Sequence, residues 1–323
     1  MRKIVAALLV LAFAAVPAFG ADSLNDLAAG KGSIELPAKM SDAEIEQWQK
    51  KEQTYAEALN RVSGIKSTMK NYLGWAKEGP QADSKNIRGI SDMASGLDRI
   101  VKAEENNAKV EAKIPAMDLA FAAMASAAND LKAVNSEANK YYSRKDYLED
   151  NMEKGKALHP QLIEKYNAFV EAADKVDAMK EELTEKLEPK KLDLIGKKYG
   201  KEYYWQHVRL MGKARAVVKF LPSSANDTVD VDGYTAAVSD FSGALKEFEE
   251  FYTKTGEEAV RKMARMNLNP DAFNSFLASA REVGQDLKAG TKNNTYVNHI
   301  NSMVRNYNNL IDRSNRTTFL LRK

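Results

Sequence analysis

The chain has 323 residues, with 48 Lys and Arg against 45 Asp and Glu, 29% charged residues and no cysteine. The missing cysteine excludes disulfides, thiolate zinc sites and iron–sulfur centres, and also the lipid-bearing cysteine of bacterial lipoproteins. The near balance of charge gives no global field for nucleic acid, and the length allows one large domain or two small ones with a sizeable core.

Residues 1–20 carry the three parts of a secretory signal peptide. Arg2 and Lys3 make a positive start, Ile4 to Val16 holds no charge, and Ala18-Phe19-Gly20 is a small-x-small cleavage pattern ahead of Ala21. The apolar run falls short of the ~20 residues that a spanning helix needs. No later stretch is more apolar, so the expectation is a periplasmic protein, cleaved after Gly20, with no transmembrane segment and no lipid anchor. Cleavage would leave 46 basic against 45 acidic residues.

Residues 21–40 contain Gly30, Gly32 and Pro37, show no sustained period and read as a loose, irregular lead-in. Ser41 and Glu44 then have the spacing of a capping box. Ile45, Trp48, Tyr55, Leu59, Val62, Ile65, Met69, Tyr72 and Trp75 follow in steps of three, four and seven, which predicts one long helix ending at Gly79-Pro80. A shorter helix is predicted over Ser91 to Ala103, and Glu104 to Lys113 reads as its extension or as a turn. Pro115 suits the first turn of a third helix, whose small residues include Ala122, Ala123, Ser126 and Ala127 and which Tyr141 and Tyr142 close. A fourth helix is predicted from Pro160 through Leu162, Tyr166, Phe169 and Leu183, with Pro189 kinking or ending it. The run Leu192 to Leu221 continues the helical period across Gly200. After the Pro222–Gly233 loop, helices are predicted over Tyr234 to Met266, Pro270 to Leu287 and Tyr296 to Ile311. No strand pattern appears.

The expected fold is therefore all-α, an elongated bundle of about six to eight amphipathic helices over 41–323. The loop at 222–233 either divides it into 41–221 and 234–323 or joins two helices of one bundle.

The residues exclude more chemistry than they suggest. His159, His207 and His299 lie in different predicted segments without metal-ligand spacing. Gly155-Lys156 lacks the glycine-rich strand-to-helix loop of a phosphate site, and no G-x-S-x-G is present. No catalytic set, metal site or cofactor is expected. Lys190, Lys191, Lys197, Lys198 and Lys201 interleave with Tyr199, Tyr203, Tyr204 and Trp205. In an exported chain this pattern suits a solvated helix face over core aromatics, or an anionic envelope surface, better than a nucleic acid. Aromatics with a polar tip serve either a core or a binding surface. On that basis the candidate binding residues are Tyr142, Asp146, Tyr147, Lys156, His159, Tyr203, Trp205 and His207.

The stretch from Tyr141-Tyr142 through Asp146-Tyr147 and Asp150 to Lys154-Gly155-Lys156-Ala157-Leu158-His159-Pro160, followed by Leu162, Tyr166 and Phe169, resembles the YiiG-like bacterial envelope family, a domain of unknown function. The Tyr72, Trp75, Gly79-Pro80 helix end and the segment from Gly200-Lys201 to His207-Val208 are similar as well. The resemblance implies an exported, mostly helical protein and supplies no catalytic residues. Its namesake looks like a lipoprotein; this chain has no cysteine to match. The expected function is non-enzymatic binding of an envelope protein or component. The alternative is a small-ligand receptor or enzyme whose pocket gathers Tyr142, Asp146, Tyr147, His159 and His207.

Overall fold

The computed structural model describes residues 34–82, 86–222, 228–265 and 269–320. The signal-peptide segment 1–20, most of the lead-in, Met266 and the centre of the 222–233 loop lie outside the described residues. Among the described residues nine α-helices account for nearly all regular structure, so the fold is all-α with one helix more than the upper end of the expected range. None of these helices is long and apolar enough to cross a membrane. The chain divides into two units between Glu185 and Lys186, and the 222–233 segment lies in the second.

In the first unit, helix α1 (Asp42–Ala76) starts as its sequence predicts. The Ser41 hydroxyl accepts from the Glu44 N–H, and the Glu44 carboxylate accepts from the Ser41 N–H at 2.7 Å. Its stripe buries Ile45, Trp48, Tyr55, Val62, Ile65, Met69 and Tyr72, while Leu59 and Trp75 are only half-buried. Helix α2 (Ala94–Ala108) begins three residues later than predicted and runs on through the polar stretch to Ala108. Helix α3 (Pro115–Arg144) has Pro115 in its first turn. Its buried face is Met117, Phe121, Met124, Ala128, Leu131, Asn135, Ala138 and Tyr142. Of its small residues, Ala122, Ala123 and Ser126 are exposed, as is Leu119. A run of alanines gives little hydrophobic contrast between faces, so the larger Met and Phe side chains set the inward side.

Helix α4 (Glu153–Tyr199) also corrects the prediction, starting seven residues before Pro160 and running through Pro189. Asp150 launches it, accepting from the Met152 and Lys154 N–H groups at 2.9 and 3.0 Å. Pro160 removes one backbone donor inside the helix, and burial of Leu158, Leu162, Phe169 and Val176 holds the helix together across it.

Side-chain pairs give the directions. Tyr72–His159, Lys66–Asp174 and Glu52–Thr184 run α4 antiparallel to α1. Asp98–Lys132 and Asn107–Asp118 run α2 antiparallel to α3. The first unit is thus an up-down-up-down four-helix bundle. Its lead-in is not loose where it is described: Ile34 is buried and its N–H donates to Glu182 at 2.8 Å.

The second unit takes the end of α4, then α5 (Tyr203–Val218), α6 (Val231–Thr255), α7 (Glu257–Met263), β1 (Ala264–Arg265), α8 (Pro270–Lys288), α9 (Asn294–Arg316) and β2 (Thr318–Phe319). Gly200, at φ 74°, ends α4 and breaks the predicted Leu192–Leu221 run; Gly256, at φ 79°, likewise splits the predicted Tyr234–Met266 helix. Arg209–Glu247 and Lys213–Asp240 set α5 antiparallel to α6. Phe241–Phe276 and Phe248–Phe273, edge-on at 5.2 and 5.7 Å, do the same for α6 and α8. His299–Asp286 and Asn306–Ser279 do so for α8 and α9. Two residues of β1 pair antiparallel with two of β2, a ribbon too short to leave a period-two signal.

A buried polar network ties the start of α3 to its neighbours. Asp118 accepts from the Lys51 ammonium at 2.6 Å, the Tyr55 hydroxyl at 2.7 Å, the Asn107 amide at 2.8 Å and the Ile114 N–H at 3.1 Å. Burial lowers the pKa of Lys51, against the pull of Asp118. Asp118→Ala should therefore cost the first unit about 3–5 kcal/mol by stranding a buried charge, measured as a drop in its urea midpoint. Adding Lys51→Met should restore most of that loss. A single-variant loss below ~1 kcal/mol would contradict an ammonium that depends on Asp118.

Candidate functional site

The candidate residues fall into two groups, one in each unit. Tyr142, Asp146, Tyr147, Lys156 and His159 belong to the first unit, whereas Tyr203, Trp205 and His207 belong to the second.

In the first group, α3 ends at Arg144 because Lys145 takes a left-handed conformation at φ 62°. A short 3-10 turn (Asp146–Leu148) then leads to Asn151 and Met152, also left-handed at φ 52° and 70°. Two adjacent non-glycine residues in that region are strained. The Asp150 carboxylate and the buried Met152 side chain hold them there. The rings of Tyr72, Trp75, Tyr141, Tyr142 and Tyr147 pack mostly edge-on or tilted, with centroids 5.1–6.4 Å apart. The Tyr72 hydroxyl and the His159 Nδ1 share a hydrogen bond at 2.9 Å, and burial lowers the pKa of His159. Gly155 has a packing reason, since a Cβ there would lie 2.7 Å from the Met152 sulfur and 3.1 Å from the Tyr142 hydroxyl. At Gly89, a Cβ would sit 2.8 Å from the Cβ of Tyr142. Asp146 and Tyr147 are half-buried and Lys156 is exposed. This group forms a filled aromatic junction.

In the second group, Tyr203 borders a cavity of about 420 Å³, within the size range of small-ligand pockets. Gly200 makes it possible, because its positive φ turns the chain so that Tyr199 on the last turn of α4 and Tyr203 and Tyr204 on the first turn of α5 face one space. The rings of Tyr199 and Tyr204 stand 6.2 Å apart. Ala259, Lys262 and Met263 of α7 and Leu320 complete the lining, with Glu202. Leu320 reaches it because β2 pairs with β1 and the Leu320 N–H donates to the Met263 carbonyl at 2.7 Å. Phe319 packs against Tyr204 at 4.4 Å and against His207 at 5.2 Å.

Trp205 lies beside this space, with the Lys201 ammonium and the Arg209 guanidinium each 5.3 Å from its ring. Those stacking contacts account for part of the lysine–aromatic interleaving. Of the predicted residues, only Tyr203 lines the cavity itself. Tyr199 and Tyr204 already stood in the lysine–aromatic pattern, whereas sequence reasoning passed over Glu202, although its signal was local: all three flank the helix-breaking Gly200. Phe319 and Leu320 gave no such signal, since they arrive from the far end of the chain. Among the described residues no group of His, Asp and Glu side chains gathers to hold a metal ion.

His207 is buried behind the cavity wall. Its Nε2 bonds the Ser314 hydroxyl at 2.8 Å, and its Nδ1 is buried without a partner. Burial pulls its pKa down to about 4. The unfolded chain then binds this proton near the ordinary value of 6.5 while the folded chain does not. Stability should fall as pH drops from ~6.5 to ~4, by up to roughly 3 kcal/mol, and should be fully present above 6.5. The difference in urea stability between the protein and its His207→Gln variant should narrow by that amount across this window. An unchanged difference would assign the pH slope to other groups.

The family described as "Protein of unknown function (DUF3829)" matches residues 46–316. The uncharacterized protein YiiG of Escherichia coli (strain K12) is 22% identical over 267 residues, covering 81% of this chain and 71% of that protein. No solved structure matches. The likeness first read from the Tyr141–Phe169 stretch thus extends along most of the chain, and the protein belongs to the DUF3829 family of proteins of unknown function, to which it is joined from α1 to the end of α9.

Proposed function

We propose that this is an exported, non-catalytic binding protein of the bacterial envelope, and that it takes a ligand in the second unit. One observation carries the reading: the cavity between Tyr199, Tyr203, Tyr204, Met263 and Leu320, which is mostly apolar, with Glu202 and Lys262 as its charged lining residues. Such a lining favours retention of a small molecule by burial and orients it with few polar contacts. Export rests on the Arg2-Lys3 start, the uncharged Ile4–Val16 run and the small-residue cleavage pattern. The aromatic junction of the first unit, with its rings packed on one another and its glycines in close contact, serves as support for the bundle.

Two measurements test the two halves of the proposal. The full chain made in a Gram-negative host should appear in the periplasmic fraction with Ala21 as its first residue, and Leu8→Arg should hold it unprocessed in the cytoplasm. An unprocessed cytoplasmic chain without that substitution would sink export. In a thermal-shift screen against envelope metabolites, a ligand at about a hundred times its Kd should add ~2.7 kcal/mol of stability. Tyr204→Ala should abolish that gain. A ligand whose effect survives Tyr204→Ala binds elsewhere and would remove the cavity from the proposal.

A further inference from the structure

We propose that β2 is an acid-released clasp on the cavity at the α4–α5 turn: protonation of His207 frees the strand and opens the cavity. The value of that opening to a ligand rests on the binding role proposed above; the release itself stands on the packing around β2. Leu320 lines one side of the cavity, and little holds it there. β2 pairs with β1 through two residues, and the Leu320 N–H donates to the Met263 carbonyl. A two-stranded ribbon of that length has little stability of its own. Thr318 and Leu320 are exposed on either side of half-buried Phe319. The seat of the clasp is therefore the Phe319 ring, 4.4 Å from Tyr204, 5.2 Å from His207 and 6.1 Å from Tyr203.

His207 lies under both ends of this segment. Its Nε2 bonds the Ser314 hydroxyl in the last turn of α9, just before the chain leaves the helix at Thr317, and its ring packs against Phe319. The surroundings offer a charge nothing. α8 presents Phe273, α9 the Ser314 hydroxyl and β2 Phe319, and on α5 itself Tyr203 faces the ring; none of these carries a charge. Nδ1 is buried without a partner. Burial alone lowers the pKa, to about 4. An imidazolium here must therefore reach water, since an unpaired buried charge is costly. Water enters by displacing Phe273, Tyr203 or Phe319. The first two are fully buried on long helices, whereas Phe319 is half-buried on a two-residue strand. The element with the fewest ties gives way first. Once β2 is released the imidazole regains its ordinary pKa near 6.5, so the closed form is fully favoured above that pH and loses ground as pH falls toward 4.

Amide hydrogen exchange of the purified protein, read at the Leu320 N–H by NMR and corrected for the intrinsic pH dependence, tests this without a ligand. Leu320 protection should fall at least tenfold between pH 7 and pH 4, along a single-proton titration, while amides of α8 such as Phe276 keep theirs. His207→Gln and His207→Phe, neither of which takes up the proton, should hold the change at Leu320 below twofold. The chain has no cysteine, so the clasp can be locked: Arg265 and Thr318 are exposed and face each other across the ribbon. Met263 should react with hydrogen peroxide at least threefold faster at pH 4 than at pH 7, and an oxidised Arg265→Cys, Thr318→Cys pair should remove that difference. Leu320 protection that is unchanged at pH 4, that falls equally in the His207 variants, or that titrates with more than one proton would overturn His207 as the trigger. Loss that spreads through α8 and α9 would be unfolding and would overturn the clasp. Equal Met263 reactivity in the locked and unlocked proteins at pH 4 would overturn the opening of the cavity. Release of β2 in a protein for which the metabolite screen finds no ligand would support the clasp and remove only the binding role.

Discussion

The Asp118 carboxylate is the point on which the first unit turns. A lysine on the inward stripe of α1 is costly to bury unless an opposite charge and further hydrogen bonds meet it. Asp118 meets it from the first turn of α3, and the same oxygen atoms also hold Tyr55, Asn107 and the Ile114 N–H. One side chain therefore fixes the register of α1 against α3 and anchors the end of α2. The direction of α3 then determines where Tyr141 and Tyr142 arrive, about seven turns further along. Asn135 and Asn139 hold the connection that precedes α2 along the way, through the Met93 N–H and the Ser91 and Ile90 carbonyls.

Helices were legible where hydrophobic contrast was strong and a cap was local. Ser41 and Glu44 are neighbours in sequence, so the start of α1 could be read directly, as could Pro115 and Pro270 at the starts of α3 and α8. Two other features were hidden by packing. Pro160 has the form of a helix start, yet Asp150 supplies a better one that starts the helix at Glu153, seven residues earlier, and packing of Leu158 and Leu162 outweighs the lost donor. The inward face of α3 was not legible, because alanine suits either side of a helix. The Lys51–Asp118 network was legible only as an oddity, a charged position inside the Trp48–Tyr55 stripe, because its partners are distant in sequence.

The candidate site was half legible for the same physical reason. Tyr203, Trp205 and His207 stood out as aromatics among lysines, and each proves to have a distinct job. Tyr203 is buried against Phe248 and Phe319 at the border of the cavity, Trp205 stacks with two cations, and His207 packs against Phe319. The closing side depends on β2, four residues of ribbon whose pairing joins residues 264–265 to 318–319. A contact of that sequence separation leaves no mark on local periodicity, so Leu320 and Phe319 could not be placed beforehand.

The two aromatic groups look alike as sequence, each with tyrosine pairs, a glycine, lysines and a histidine, and they end as a packed junction and a cavity. Glycine makes the difference. Gly155 and Gly89 sit where a backbone presses against the Tyr142 ring, and their missing Cβ atoms let it come close enough to fill the space. Gly200, like Gly89, has a positive φ, but a Cβ there would meet only Glu202, at 3.6 Å, and the chain turns so that Tyr199 and Tyr204 both border the cavity. Close approach removes volume and a reversal of direction creates it. A glycine beside tyrosines therefore does not predict a binding site by itself: Gly89 combines a positive φ with a close approach to Tyr142 inside the filled junction, whereas at Gly200 the same backbone sign turns two helices about a space.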